Sequence, residues 1–214
     1  MLIEIINQYM VKIIIAAKKH DSINSISKRI GVSYGWTYKW VKELAGRGVF
    51  SGSKMELRLM EDSSFYRYTL TYIKKNFSKD INFYYTVLKL FGVKYCFTKT
   101  DAVFTWTKGG YNIGRYKDYY PIFIKLKRDQ LNVFKWYCKK LDLKINAKKG
   151  IFYSIETVNK NFEPSYSGDI PVESLDWTIK FMDRYVYNFQ PALEMVNEMY
   201  GKKIKIRYRE TNYV

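Results

Sequence analysis

The chain has 214 residues with 37 Lys and Arg against 20 Asp and Glu, a net charge of +17, and 47% of its residues are hydrophobic. Such a chain buries a core and is no disordered tail, and its basic excess makes a polyanion, nucleic acid first, the expected partner. A single histidine, His20, and two cysteines, Cys96 and Cys138, exclude a four-ligand Cys/His zinc site.

From Leu2 to Lys19, the residues Leu2, Ile6, Met10, Ile13, Ile14 and Ala17 recur at three- and four-residue steps and predict a first helix with one apolar face. His20 is expected at its C-terminal end, facing solvent. Asp21 and Ser22 offer caps for a short second helix carrying Ile23, Ile26 and Ile30, which Gly31 ends. Val32 plugs the turn and Ser33 caps a third helix, Tyr34 to Ala45. Its Thr37, Val41 and Leu44 share one face, while Tyr34, Gly35, Tyr38, Lys39 and Lys42 share the other. After Gly46-Arg47-Gly48, Val49-Phe50 reads as a strand, Ser51-Gly52-Ser53 as a turn, and Met55 to Met60 as a second strand alternating Met/Leu/Leu with Glu/Arg.

The stretch ISKRIGVSYGWTYKWVKELAGRGVF resembles the winged-helix transcription-regulator superfamily, with its helix, Gly-Val-Ser turn, helix and entry into a hairpin wing. The resemblance implies a winged helix-turn-helix domain over 1–62, with helix 34–45 in the major groove and wing 49–60 on the backbone. It places base-reading positions on Ser33, Tyr34, Gly35, Tyr38 and Lys39, and backbone-clamping positions on Trp36, Lys42, Arg47, Ser53 and Lys54. Trp36 and Trp40 depart from the family, standing where smaller residues are usual, and Thr37 is weaker filler than Val or Ile.

Beyond it, Asp62-Ser63-Ser64 predicts a boundary and a cap for a helix ending near Phe77, and a further helix runs from Asp80 to Gly92. A strand at Lys94–Phe97 precedes a short helix at Asp101–Thr107, capped by Thr98 or Thr100. Gly109, Gly110 and Gly114 break the chain. A strand at Ile122–Leu126, a helix at Asp129–Leu141 and a strand at Ile151–Val158 follow. A helix from Val172 to Tyr185 opened by Pro171, one from Pro191 to Tyr200 closed by Gly201, and a strand at Ile204–Tyr208 complete the pattern. The fold class is α+β: an N-terminal winged helix-turn-helix and a mixed α/β domain over 63–214. YCFTKTDAVFTW, YYPIFIKL, VESLDWTIKFMD and PALEMVNEMYG are similar, more weakly, to the C-terminal domain of AbiE-type antitoxins, which implies an autoregulating antitoxin with a toxin partner or a degenerate nucleotidyltransferase-like domain.

An active nucleotidyltransferase needs a glycine turn and two strand carboxylates for Mg²⁺. Gly109-Gly110 followed by Asp118 comes nearest, but Ile122–Leu126 offers no second carboxylate, and His20 lies far from either cysteine. No enzymatic activity, metal or cofactor is expected. Residues 108–150 hold twelve basic residues against three acidic ones. Within them Arg115, Tyr116, Lys117, Tyr119 and Tyr120 interleave cations with rings, and Lys125, Lys127 and Arg128 follow. These are candidates for phosphate contacts and base stacking, or a solvated lysine-rich face. No apolar run approaches a bilayer span and no leader pattern opens the chain, so a cytoplasmic protein is expected. The expected function is sequence-specific binding of double-stranded DNA as a homodimeric transcription regulator. The alternative is an RNA- or nucleotide-binding protein acting through the basic C-terminal half.

Overall fold

The computed structural model describes residues 7–116 and 118–206. In chain order its elements are α1 (Gln8–Ala16), β1 (His20–Asp21), α2 (Ile23–Ile30), α3 (Tyr34–Gly46), β2 (Phe50–Gly52), β3 (Leu57–Leu59), α4 (Ser64–Phe77), α5 (Ile81–Val87), β4 (Tyr95–Phe97), α6 (Lys99–Trp106), β5 (Tyr119–Lys127), α7 (Leu131–Leu141), β6 (Gly150–Val158), β7 (Ser165–Ser167), β8 (Ile170–Val172), α8 (Leu175–Arg184) and α9 (Val186–Tyr200). This α+β chain divides into two compact units, Met1–Val93 with Asn132–Lys144, and Lys94–Leu131 with Ile145–Val214. The division differs from the boundary expected at 62/63, because residues 63–93 and α7 join the N-terminal helices.

In the first unit local signals set each helix. Asn7 Oδ1 accepts from Tyr9 N–H, Ser22 Oγ from Ser25 N–H and Ser33 Oγ from Trp36 N–H, satisfying amides that helix starts leave free. Gly31 ends α2 at φ +65°, a left-handed conformation costly for other residues. Ile13 and Ile14 of α1, Ile23 and Ile26 of α2, and Val41 and Leu44 of α3 are buried in one cluster. Each fully buried side chain of this size contributes about 1.5–3 kcal/mol. Thr37 is buried too, and its Oγ1 donates to Ser33 O at 2.9 Å, so the hydroxyl is satisfied where Val or Ile would only fill space. An antiparallel sheet of order β1-β3-β2 closes the cluster with Leu57 and Leu59 facing inward.

The helix from the middle of the chain completes this core. Phe91 stacks on Tyr137 at 4.5 Å and meets Phe134 edge-on at 5.7 Å. Lys140 Nζ donates to the carbonyls of Ile14 (2.6 Å), Ile15 (3.2 Å) and Ala17 (2.8 Å), and Tyr137 Oη and Arg29 Nε both donate to Ala16 O. The carbonyls that the end of α1 leaves without backbone partners are thus bonded by side chains of α7 and α2.

The second unit has a five-stranded sheet of order β6-β5-β4-β8-β7. β5 and β6 run parallel over their full nine-residue length, joined through α7. Val103 of α6, Met182 of α8 and Phe189, Leu193 and Val196 of α9 form a buried cluster. Asp101 is buried, its Oδ1 accepting from Arg115 at 3.0 Å and its Oδ2 from Phe123 N–H at 2.8 Å.

Several expected elements shift. His20 does not end a helix but pairs as β1 with Arg58. Pro171 and Val172 do not open a helix: Val172 pairs with Phe97 across the sheet, Glu173 N–H donates to Phe97 O, and α8 starts only after its cap, Ser174. Pro191 lies inside α9, which begins at Val186. Ile204 belongs to no strand; its N–H and C=O bond the Asn197 side-chain amide, and Arg207 and Tyr208 lie outside the described residues. Leu2, Ile6 and Lys117 lie outside them as well. Among the described residues no helix is long and apolar enough to cross a membrane.

Candidate nucleic-acid interface

The outward face of α3 and the β2–β3 hairpin gather most of the positions singled out in the sequence. With Thr37, Val41 and Leu44 buried, helical geometry turns Tyr34, Gly35, Trp36, Lys39 and Lys42 to solvent. Tyr34 and Tyr38 stack with rings 3° from parallel. Lys39 Nζ lies 4.9 Å from the Trp36 ring and 5.4 Å from that of Trp40, and Lys54 Nζ, from the hairpin, 4.5 Å from Tyr38. This last contact ties the hairpin to the helix, at a cation–π strength of roughly 0.5–1 kcal/mol at an exposed site. Tyr38, Lys39, Lys42, Glu43, Gly46 and Arg47 line a concavity of about 680 Å³.

Two residues take a more structural part than expected. Trp40 is half-buried and stacks on Tyr9 of α1, which meets Trp36 edge-on at 5.6 Å, so the tryptophans lock α3 onto α1. Arg47 pairs with Glu43 at 2.9 Å and lies 4.9 Å from the Phe65 ring. At the helix start, Ser33 is exposed while its Oγ serves as the cap.

The hairpin differs from its expected register. Met55, expected to open the second strand, lies in the turn and is 86% exposed, because β3 begins only at Leu57. Ser53 Oγ and O both accept from Glu56 N–H, and Ser53 N–H donates to Glu56 O, closing the tip. Gly52 at φ +97° would place a Cβ 2.3 Å from Glu56 O, so only glycine fits. No family model, curated protein or solved structure matches the chain.

The second group of sequence candidates does not assemble as a cation–ring surface. The Arg115 side chain is 8% exposed and held by Asp101, Pro121 O and the Tyr120 ring. Lys125 is enclosed by Glu173 and Glu156, and Lys127 pairs with Asp129 at 2.8 Å. Tyr116, Tyr119 and Arg128 are exposed, Tyr119 edge-on to Phe152. Three of the cations meant for phosphate are therefore engaged by carboxylates, which one-dimensional spacing does not show.

Among the described residues no group of three His, Cys, Asp or Glu is placed to hold a metal ion. Cys96 and Cys138 are both buried thiols; burial pushes Cys96 up to about 12 and Cys138 higher, away from the thiolate a nucleophile requires.

Proposed function

We propose that the first unit is a winged helix-turn-helix that binds double-stranded DNA, α3 entering the major groove and the β2–β3 hairpin serving as the wing, in a sequence-specific transcription regulator. The reading is carried by α3: its apolar residues are consumed by the core while its solvent face joins rings to the cations Lys39 and Lys42, with Lys54 beside it. A single recognition helix covers little surface, so a homodimer on two half-sites accompanies the reading. The alternative of RNA binding through the basic C-terminal half loses support, since Arg115, Lys125 and Lys127 face carboxylates.

The test is binding to a duplex selected from a random pool, against scrambled duplex and single-stranded RNA of equal length at two salt concentrations. The wild-type chain should prefer the selected duplex at least tenfold, about 1.4 kcal/mol. Tyr34→Ala, an exposed change, should lower that preference without removing it, and Lys42→Ala should lower the salt slope by about 1. Equal binding to all three nucleic acids, collapsing with salt, would sink the reading.

A further inference from the structure

The face proposed to read DNA is short of readers. Guanine and adenine are distinguished in the major groove chiefly by Arg, Lys, Asn and Gln side chains. Between Ser33 and Gly46 only two of these occur, Lys39, which lies over the Trp36 and Trp40 rings, and Lys42, beside the exposed Ser33 hydroxyl, tyrosine and Glu43. A protein with this helix obtains its sequence preference largely from how DNA deforms.

The wing carries the group that deformation needs. Among the described residues Met55 is the most exposed of the large hydrophobic side chains, at 86%. It projects from a tip whose geometry is closed by the Ser53–Glu56 hydrogen bonds and by Gly52, and Lys54 holds the hairpin against Tyr38 of α3. The exposed cations Lys54 and Arg58 lie on the same hairpin, and Glu56 is its one carboxylate. An unbranched apolar side chain exposed at the tip of a hairpin that carries cations suits a minor groove: cations follow the narrow A·T groove, and the apolar tip enters between base pairs.

We infer that the duplex bound is A·T-rich and that Met55 wedges into its minor groove at a pyrimidine–purine step, the step that unstacks at least cost. The inference rests on the duplex-binding reading and adds to it a substrate class and a residue with a defined mechanical role. Mutual support comes from the two surfaces: a helix with few base readers leaves specificity to bending, and the rigid wing supplies the bend.

The full-length chain, its Met55→Ala variant and its Met55→Leu variant should be compared on a selected duplex carrying 2-aminopurine beside a TA step. Wild type and Met55→Leu should raise the fluorescence of the unstacked base. Met55→Ala should abolish the rise and weaken binding at least about fivefold, yet change binding less than about twofold when the step is AA. Selection of G·C-rich duplexes, or a Met55→Ala variant that unstacks the base as wild type does, overturns this inference and leaves the duplex-binding reading standing. A wild-type chain with no duplex preference overturns both. Met55 is 86% exposed and is no member of the buried cluster, so loss of folding does not cloud the result.

Discussion

Lys140 is an ordinary member of the basic run in the sequence and a buried keystone in the fold. Its Nζ lies within hydrogen-bond distance of three carbonyls at the C-terminal end of α1. Burial opposes the charge, and the nearby Arg29 guanidinium adds to it while Glu61 and Asp21 work the other way; the balance lowers the lysine to about 7. Tyr66 and Tyr137, whose rings lie within 6 Å of Nζ, are themselves pushed upward by burial. Between pH 7 and the ordinary lysine value of 10.5, the unfolded chain holds a proton that the native one has released, so stability rises with pH. Urea unfolding should show a gain of about 1–2 kcal/mol from pH 7 to 8.5, before the buried thiols and tyrosines reverse the slope. Lys140→Met should remove that gain and, by stranding three carbonyls, cost roughly 1–3 kcal/mol at neutral pH. An unchanged slope in the variant would rule out Lys140 as its source.

At the scale of elements, the hairpin depends on Gly52. Gly52→Ala forces a left-handed alanine against Glu56 O, so the turn must open; a loss of about 1–3 kcal/mol is expected, with faster amide exchange at Leu57. Unchanged melting and exchange would show that the turn adapts. The run from α2 through Gly31 to α3 was legible because its signals are local: Ser22, Ser33 and Gly31 sit at the helix ends, and Ile23, Ile26 and Ile30 keep the helical period. β1 and β8 were not, being two- and three-residue strands formed by distant partners, Arg58 for His20 and Phe97 for Val172. Met55 continues the alternation of Leu57 and Leu59, and only the turn geometry takes it out of the strand. Arg115 and Lys125 read as surface cations because their carboxylates, Asp101 and Glu173, lie elsewhere in the chain. Sequence therefore carried α3 well, the β2–β3 hairpin approximately, and the second cluster poorly.

Over the whole molecule, the first unit is discontinuous, and this sets what a fragment can do. Residues 1–93 keep every proposed DNA contact but lose α7, and with it the partners of Phe91 and of the α1 carbonyls. Expressed alone, that fragment should show weak near-ultraviolet circular dichroism and no cooperative unfolding, and the full chain should show both signals. A fragment that melts cooperatively would mean that α7 is dispensable. The same discontinuity has a consequence during synthesis. At about 5–20 residues per second, Lys140 follows the end of α3 off the ribosome by on the order of ten seconds. If α3 reads DNA as proposed, a chain released early carries that helix without the scaffold that aims it, and prematurely terminated products would compete poorly with the finished protein.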